Sequence, residues 1–208
     1  MKNIIFSFFM VLISLIGCSE NENILIRNKE EEFITIDSST GLFYYKNELY
    51  TGIYEDYHES GQLIQKGSFL NGERNGVWEF YHDNRQLFSK GSYLNGKEDG
   101  VWESHYDNGQ LWEKGSFLNG KRNGIWESYH ENGKLWEKGS YLNGKEDGVW
   151  EEYYDIGQLK LKGPYLNGAK NGFWEWYYEN GQLYEKGFYL KGVKNGVWEH
   201  YNEDGTMF

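Results

Sequence analysis

The sequence predicts an all-β protein: an elongated, twisted antiparallel β-meander built from about seven two-stranded repeats of 24 residues. Three observations carry this prediction. The same phrase returns every 24 residues, Asn-Gly pairs punctuate each repeat, and the composition combines 27 glycines and 19% aromatic residues with a single proline. Self-similarity at a fixed period of this length indicates a stacked array, in which each unit buries its apolar face against its neighbours.

Each repeat opens on a glycine, and positions within the repeat are numbered here from that glycine as position 0. A Gly-Val-Trp-Glu phrase fills positions 0 to 3, an Asn-Gly pair follows at positions 8 and 9, and a phrase such as residues 114–120 closes the unit. No segment shows sustained apolar residues at helical spacing, and alternation close to every second residue favours strands. The opening glycines are Gly52, Gly76, Gly100, Gly124, Gly148, Gly172 and Gly196.

The Asn-Gly pair at positions 8 and 9 predicts a two-residue hairpin turn, because both central residues of a type I′ turn need positive φ. In that register Glu103 faces Lys114, and Trp102 faces Gly115, which would place an aromatic ring over a glycine of the neighbouring strand. The second connection, through residues 119–124, is expected to be a longer turn, and the sequence leaves its register open.

The same register pairs aromatic residues at positions 5 and 12, namely Tyr81 with Phe88 and Tyr129 with Trp136. Alternation along the strands then sorts two faces. One face carries Trp at position 2, Leu at 11 and Phe or Tyr at 17, and it is the better core. The other carries Glu at 3, Lys at 14 and the aromatic pairs. A single sheet cannot bury both faces, so we expect the aromatic residues of the second face to be partly exposed.

These partly exposed aromatic residues form a candidate binding stripe, since Tyr and Trp are favoured as interface anchors. The sequence leaves three interpretations open: the stripe docks a protein partner, stacks on glycan rings, or only stiffens the sheet. Its members are Tyr81, Phe88, Trp112, Tyr129, Trp136, Tyr177 and Tyr184.

The amino-terminal segment predicts a lipoprotein signal peptide. The apolar run from Ile4 to Ile16 follows Lys2 and is too short to span a bilayer as a structural helix. Leu15-Ile16-Gly17-Cys18 resembles the bacterial lipobox, in which the cysteine is lipidated and becomes the mature amino terminus. Cys18 is the only cysteine, so it cannot form an intrachain disulfide. The alternative is a plain secretory signal with an incidental thiol.

We therefore expect three segments: a signal peptide over residues 1–17, a lipidated cysteine and polar tether over 18–40, and the repeat domain over 41–208. The tether is acidic and carries no repeat phrase, with a short strand expected at 33–36. This organisation predicts a protein of the bacterial cell envelope, lipid-anchored to a membrane and facing away from the cytoplasm.

Charge and motifs limit the function classes. The net charge of −11 disfavours nucleic acids and anionic lipid head groups, which select for Lys and Arg. Glutamates at position 3 recur about 9–10 Å apart and face lysines, which favours ion pairs over a shared cation. His58, His82 and His130 share position 6 at similar spacing, too far apart for one zinc ion. No nucleophile set, phosphate loop or dinucleotide fingerprint is present, so we expect no enzyme, cofactor or metal site.

The phrase over residues 113–127, Glu-Lys-Gly-Ser-Phe-Leu-Asn-Gly-Lys-Arg-Asn-Gly-Ile-Trp-Glu, resembles the MORN repeat in its bacterial variant, and the resemblance extends over residues 41–208. It implies a repeat scaffold without catalytic residues. Proteins similar to this one are often labelled antitoxins of the YwqK type, which implies an immunity-like protein whose protein partner, unknown from the sequence, would be a toxin. The lipobox, however, places this chain outside the cytoplasm, where a cytoplasmic toxin is not met.

The lipid anchor is directly testable. Cys18→Ser should abolish lipid labelling and release the protein from membranes, because the thiol that carries the acyl chains is lost. Detergent phase partitioning of the wild type and the variant measures this release. A wild-type protein found in the aqueous phase would show that the lipobox interpretation is wrong.

Overall fold

A computed structural model describes residues 24–27 and 34–208, and these residues form strands and turns without a helix. The strands are β1 (Ile24–Arg27), β2 (Ile34–Ile36), β3 (Phe43–Tyr45), β4 (Glu48–Leu49), β5 (Gly52–Tyr57), β6 (Leu63–Leu70), β7 (Glu73–Arg74), β8 (Gly76–Tyr81), β9 (Leu87–Leu94), β10 (Lys97–Glu98), β11 (Gly100–His105), β12 (Leu111–Leu118), β13 (Lys121–Arg122), β14 (Gly124–Tyr129), β15 (Leu135–Leu142), β16 (Lys145–Glu146), β17 (Gly148–Tyr153), β18 (Leu159–Leu166), β19 (Ala169–Lys170), β20 (Gly172–Tyr177), β21 (Leu183–Leu190) and β22 (Val193–His200).

The repeats form one long sheet in chain order, as the sequence predicts. Each full repeat contributes a six-residue strand, an eight-residue strand and a two-residue strand, and successive strands pair antiparallel. Strand β1 adds to the first repeat in parallel, with Ile24 opposite Ile53. Strands β2, β3 and β4 form a separate small antiparallel sheet. Both β1 and β2 lie within the segment that the sequence assigned to the tether.

The first hairpin of each repeat has the predicted register only up to position 4. Glu103 lies opposite Lys114 and Trp102 opposite Gly115, but the register then shifts, and His105 lies opposite Leu111. The Asn-Gly pair does not form a type I′ turn, because within Asn108-Gly109 only the glycine has positive φ. Gly109 N–H donates to Tyr106 O at 2.9 Å, which fits the three-residue hairpin loop with a glycine bulge. The predicted pairing of positions 5 and 12 is therefore wrong.

The second connection is shorter than expected. Asn119 (φ 52°) and Gly120 (φ 76°) both have positive φ, and Leu118 lies opposite Lys121, so this Asn-Gly pair forms the two-residue type I′ turn. An irregularity at Asn123-Gly124 then separates the two-residue strand from the next repeat, with Gly124 at φ 86°. The type I′ turn belongs to the second Asn-Gly pair of the repeat, not the first.

The tryptophan at position 2 joins neighbouring repeats. Trp126 lies against Gly115 of the preceding repeat, where an added Cβ would stand 2.1 Å from the indole ring. Its Nε1–H donates to Ser116 O at 3.1 Å, also in the preceding repeat. Phe117 and Tyr141 at position 17 contact the indole edge-to-face, at centroid distances of 5.0 and 6.2 Å. The ring thus covers the glycine of the preceding repeat and not the glycine paired with it in its own hairpin, which corrects the expected placement.

The amino-terminal end of this tryptophan row is covered by aromatic residues. Phe43 of β3 stacks on Phe69 at 4.3 Å, and both are buried with Tyr50, Tyr54 and Trp78 in one cluster. Tyr54 stands at position 2 of the first repeat, where later repeats have Trp. The small sheet therefore closes the core at the end where no earlier repeat can do so.

The ring-over-glycine contact predicts a stability effect. Gly115→Ala should destabilise the fold by about 1–3 kcal/mol, because a Cβ has no room beneath the Trp126 indole and the core must be overpacked. Chemical denaturation monitored by circular dichroism measures the loss. Ser116→Ala, one residue further on the opposite face, is the matched control and should change stability by less than about 0.5 kcal/mol. Equal stability of Gly115→Ala and wild type would show that the indole is not held against the backbone.

Candidate functional site

The face opposite the tryptophans carries a ladder of alternating carboxylates and ammonium groups, here called the ladder face. Lys114 lies opposite Glu103 in its own hairpin and opposite Glu127 in the next repeat. Its Nζ makes the ion pair with Glu127, at 2.8 Å, so the pair bridges repeats instead of staying within one hairpin as expected. Equivalent bridging pairs, at 2.8 to 3.0 Å, are Lys66–Glu79, Lys138–Glu151, Lys162–Glu175 and Lys186–Glu199.

Tyrosines at position 5 belong to this ladder. The Tyr129 hydroxyl donates to Glu127 Oε2 at 2.7 Å, and Lys114 Nζ lies 5.7 Å from the Tyr129 ring centroid. In the second repeat, hydrogen bonds from Lys66, then Tyr81 and Lys90, lower the pKa of Glu79 to about 2. Of the predicted stripe, Tyr81, Tyr129 and Tyr177 are thus partly buried and hydrogen-bonded to glutamates of the ladder.

The exposed aromatic residues stand at position 12, the extra residue where the register shifts. Trp112 and Trp136 are 37% and 39% exposed, close to Phe88 at 39% and Tyr184 at 43%. Their aromatic partners come from position 6: His82 contacts Phe88 at 5.0 Å, and Tyr178 contacts Tyr184 at 5.1 Å, centroid to centroid. The structure therefore reduces the predicted stripe to Phe88, Trp112, Trp136 and Tyr184, here called the position-12 stripe.

Side chains at position 6 form hydrogen bonds to the main chain of the next repeat. His82 Nε2 lies 2.9 Å from His105 O, His130 Nε2 lies 3.1 Å from Tyr153 O, and the Tyr106 hydroxyl donates to Tyr129 O at 2.7 Å. The two histidines are therefore engaged with the main chain of the following repeat. Within residues 24–27 and 34–208, no group of His, Cys, Asp and Glu side chains is arranged to hold a metal ion.

Open notches lie between neighbouring repeats beside the stripe. One of about 490 Å³ combines an aromatic ring with two carboxylates and an amide. Asn84, which lines this notch, also donates to the main-chain oxygen of Asp107 in the next repeat. Its lining residues are Tyr81, His82, Asp83, Asn84, Phe88 and Asp107.

Two further apolar rows on the ladder face were missed by the sequence interpretation. Position 1 carries exposed Val, Ile or Phe, and position 18 carries exposed Leu. Both positions lie near the type I′ turns. Position 1 is two residues from the ladder glutamate and position 18 is four residues from the ladder lysine, so both share the ladder face. This even spacing is the signal that could have found them. The rows comprise Val77, Val101, Ile125, Val149, Phe173 and Val197, and Leu70, Leu94, Leu118, Leu142, Leu166 and Leu190.

On the tryptophan face, cationic side chains from position 22 cover the indoles of the following repeat. Arg122 Cζ lies 3.9 Å from the Trp126 ring centroid, and Glu113 at position 13 holds this guanidinium through a bond of 2.7 Å from Arg122 to its Oε2. Cation–π contacts of this kind stabilise a partly desolvated ring. The same cover is given by Arg74 over Trp78 at 4.3 Å, Lys170 over Trp174 at 4.2 Å and Lys194 over Trp198 at 3.8 Å.

Two repeats depart from this arrangement, because Glu98 and Glu146 occupy position 22 there. The indoles that follow them, Trp102 and Trp150, are each 8% exposed, whereas Trp78 and Trp126 are 0% and 3% exposed. Both carboxylates point toward the next type I′ turn. Oε2 of Glu98 lies 3.6 Å from where a Cβ of Gly120 would stand, and Oε2 of Glu146 lies at the same distance from that of Gly168.

Beside Trp150, two glutamates face each other across the strands. Glu137 lies opposite Glu152, and like charges in this position destabilise a sheet. Burial, and then the charge of Glu152, raises the pKa of Glu137 above its ordinary value. Ser128 Oγ donates to Glu137 at 3.4 Å. Among the described residues, no lysine or arginine forms an ion pair with Glu137, although its equivalents Glu113 and Glu185 each have one.

The raised pKa of Glu137 predicts a pH-dependent effect. A carboxyl whose pKa is higher in the folded than in the unfolded protein contributes stability at low pH, and this contribution is lost as pH rises through the folded pKa. Glu137→Gln should therefore raise stability relative to wild type at about pH 7, with the difference vanishing at about pH 4. Glu113→Gln is the matched control. It should lower stability at neutral pH, because it removes the ion-pair partner of Arg122. Denaturation curves across this range measure both effects, and a Glu137→Gln protein less stable at neutral pH would contradict the assignment.

Cys18 and the signal residues 1–17 lie outside the described residues. Within the described part of the chain, no helix has the length and apolar character needed to cross a membrane.

No curated protein matches the sequence. Among solved structures, a TarM mutant from S. aureus in complex with Fondaparinux, alpha-GlcNAc-glycerol and UDP is similar at a TM-score of 0.31 and 14% identity, over 46% of this chain and 19% of that one.

A second TarM crystal structure is similar at a TM-score of 0.29 and 17% identity, over 55% of this chain and 21% of that one. The chain thus spans about a fifth of these structures, and similarity at this level carries no functional argument. The family model for the MORN repeat variant matches residues 50–71, 74–95, 98–119, 122–143, 146–167 and 170–191, more than half of the chain. The spacing of these six matches follows the 24-residue repeat that builds the sheet. The chain therefore belongs to the MORN repeat variant family.

Proposed function

We propose that this repeat scaffold is a non-catalytic, membrane-anchored protein outside the cytoplasm, which binds a protein partner through its ladder face. The observation that carries this proposal is the position-12 stripe, where Trp112 and Trp136 stay more than a third exposed in adjacent repeats. Exposed Trp and Tyr side chains on a rigid scaffold are favoured as interface anchors. The apolar rows at positions 1 and 18 extend the same face and give a partner further surface to cover.

The non-catalytic assignment is supported by how the ionisable side chains are used. Glu127 and Lys114 neutralise each other across the repeat boundary, and the His82 and His130 rings bind main-chain carbonyls. These groups stabilise the sheet instead of converging on one cavity. Repetition suits a partner that is extended or that is engaged at several repeats, since linked contacts raise affinity without any new type of contact.

Two finer assignments rest on the sequence. The lipobox-like segment ending at Cys18 supports lipid anchoring to a membrane of the cell envelope, and the resemblance to YwqK-type proteins supports an immunity-like role toward a secreted toxin. Neither assignment depends on the sheet geometry. The Cys18→Ser experiment tests the first, and identification of the bound partner tests the second.

Glycan binding is the second candidate function, and the notches favour it. An aromatic ring, Phe88, lies beside the carboxylates of Asp83 and Asp107 and the amide of Asn84. Such a set can stack on one face of a sugar ring and hydrogen-bond its hydroxyls. The two candidates use the same stripe but differ in ligand chemistry.

The stripe is tested by replacing its two tryptophans. The double variant Trp112→Ala, Trp136→Ala should weaken partner binding by at least about tenfold, because truncating aromatic anchors commonly costs about 2 kcal/mol or more. The control Lys114→Gln, Glu127→Gln removes an ion pair of the same face and should lose much less, because partly exposed ion pairs contribute roughly 0–1 kcal/mol. Quantitative capture from envelope and secreted protein fractions, run beside a glycan array with the full chain, measures both variants.

The pattern of results separates the candidates. Loss of a captured protein in the tryptophan variant supports the scaffold function, whereas loss of glycan binding alone supports the second candidate. Full-strength binding by the double variant would show that the stripe is only structural. We expect the sheet to be retained in both variants, because Trp112 and Trp136 are exposed and lie outside the core. Circular dichroism checks this.

A further inference from the structure

The tryptophan face contains a cation site that the chain fills in some repeats and leaves open in others. In the filled site at Trp126, the guanidinium of Arg122 lies on the indole and is held by Glu113. Lys194 on Trp198 is held in the same way by Glu185. The components are an indole face, an aromatic residue at position 17 at its edge, and a carboxylate at position 13.

The site at Trp150 has every component except the cation. Tyr141 meets the Trp150 ring edge-to-face at 5.1 Å, as Phe117 meets Trp126. Glu137 stands at position 13, where Glu113 stands in the filled site. Position 22 is Glu146, whose carboxylate lies beside Gly168, with Oε2 3.6 Å from where a Cβ of that glycine would stand. A negative charge thus stands where the filled site has a cation, and Trp150 is 8% exposed where Trp126 is 3% exposed.

The electrostatics of this site favour a cation from outside the chain. Glu137 and Glu152 face each other, and of the two only Glu152 has a basic partner among the described residues, Lys160 at 2.5 Å. A positive charge placed on Trp150 would pair Glu137, relieve its repulsion with Glu152 and approach Glu146. The Trp150 indole and Glu137, which has no ion-pair partner among the described residues, therefore make a site for a guanidinium or ammonium group.

We propose that Trp150, Glu137, Glu146 and Glu152 bind an arginine side chain from a basic segment of a partner protein. The bound guanidinium takes the place that Arg122 occupies on Trp126, stacked on the indole with its N–H groups directed at Glu137. Arginine fits better than lysine because its planar group can stack on the ring and bond a carboxylate at once. The acidic net charge of −11 attracts such a segment and repels nucleic acids.

Trp102 forms a weaker copy of this site two repeats earlier. Glu98 takes the place of Glu146, but Ser89 and Ser104 replace the two facing glutamates. Four strand spacings separate the two tryptophans, which is about 19 Å. An extended peptide covers that distance in about six residues. A partner with arginines six residues apart can therefore engage both sites. Both lie on the face opposite the position-12 stripe, so this inference stands independently of the proposed function.

The site is tested with N-acetyl-arginine amide, added to the full chain labelled with fluorotryptophan and observed by fluorine NMR. The Trp150 signal should shift saturably, Trp102 should shift with a weaker apparent affinity, and Trp126 should not shift because Arg122 already covers it. N-acetyl-glutamine amide is the neutral control and should shift none of the three. Equal shifts at Trp126 and Trp150, no saturable shift at Trp150, or an equal response to the neutral probe would overturn the proposal.

Two variants sharpen the assignment. Glu146→Arg recreates the filled arrangement at Trp126 and should abolish the Trp150 response while leaving Trp102 unchanged. Glu137→Gln keeps side-chain size and relieves repulsion, so the fold is retained, and it should weaken arginine binding at Trp150 about two- to fivefold. A response at Trp150 that survives both changes would show that the carboxylates do not form the site.

A bivalent probe tests the spacing. A flexible peptide with two arginines six residues apart should bind at least about tenfold more tightly than the same peptide with them two apart, because only the first spans both sites. Equal affinity of the two peptides would contradict joint engagement of Trp102 and Trp150. Glu98→Arg should lower the affinity for the first peptide to that for the second, because it fills the site at Trp102.

Discussion

The contact between each tryptophan ring and the glycine of the preceding repeat is the interaction on which the rest of the structure depends. Trp126 covers Gly115, and its indole N–H bonds Ser116 O, so no repeat completes its core alone. Stability is therefore shared between neighbours, as in other linear arrays. Because the core is a single row of rings on one side of one sheet, the opposite side remains free for the ladder, the apolar rows and the position-12 stripe.

The two faces differ in how strictly they repeat. On the ladder face, Glu at position 3 and Lys at position 14 recur in every full repeat. Five of the six lysines form ion pairs across the repeat boundary, and Lys90 pairs with Glu79 of its own hairpin. On the tryptophan face, position 22 is a cation in four repeats and a glutamate in two. Residues 91–103 and 139–151 are identical, which places Glu98 and Glu146 two repeats apart. The departures from the repeat, more than the repeat itself, distinguish one part of this surface from another.

Part of the candidate site could be predicted from the sequence. Alternation placed Trp112 and Trp136 among the exposed aromatic residues, where the structure has them. Tyr129 was assigned to the same stripe because a regular register pairs positions 5 and 12, but the register shift turns it to Glu127. The cation sites were missed for a different reason. Arg122 and Glu113 lie nine positions apart, and the ring they share belongs to the next repeat.

The sequence by itself determined the strand order, the two faces and the pairing of Glu103 with Lys114, because these follow from local periodicity and turn residues. Only the tertiary structure decided which neighbour each side chain contacts. A strand in a sheet has neighbours on both sides at the same distance of about 4.7–4.9 Å, so Trp102 and Lys114 can reach either one. The twist of the sheet and the glycine bulge at each turn remove that symmetry, and neither can be read from pairwise spacing along the chain.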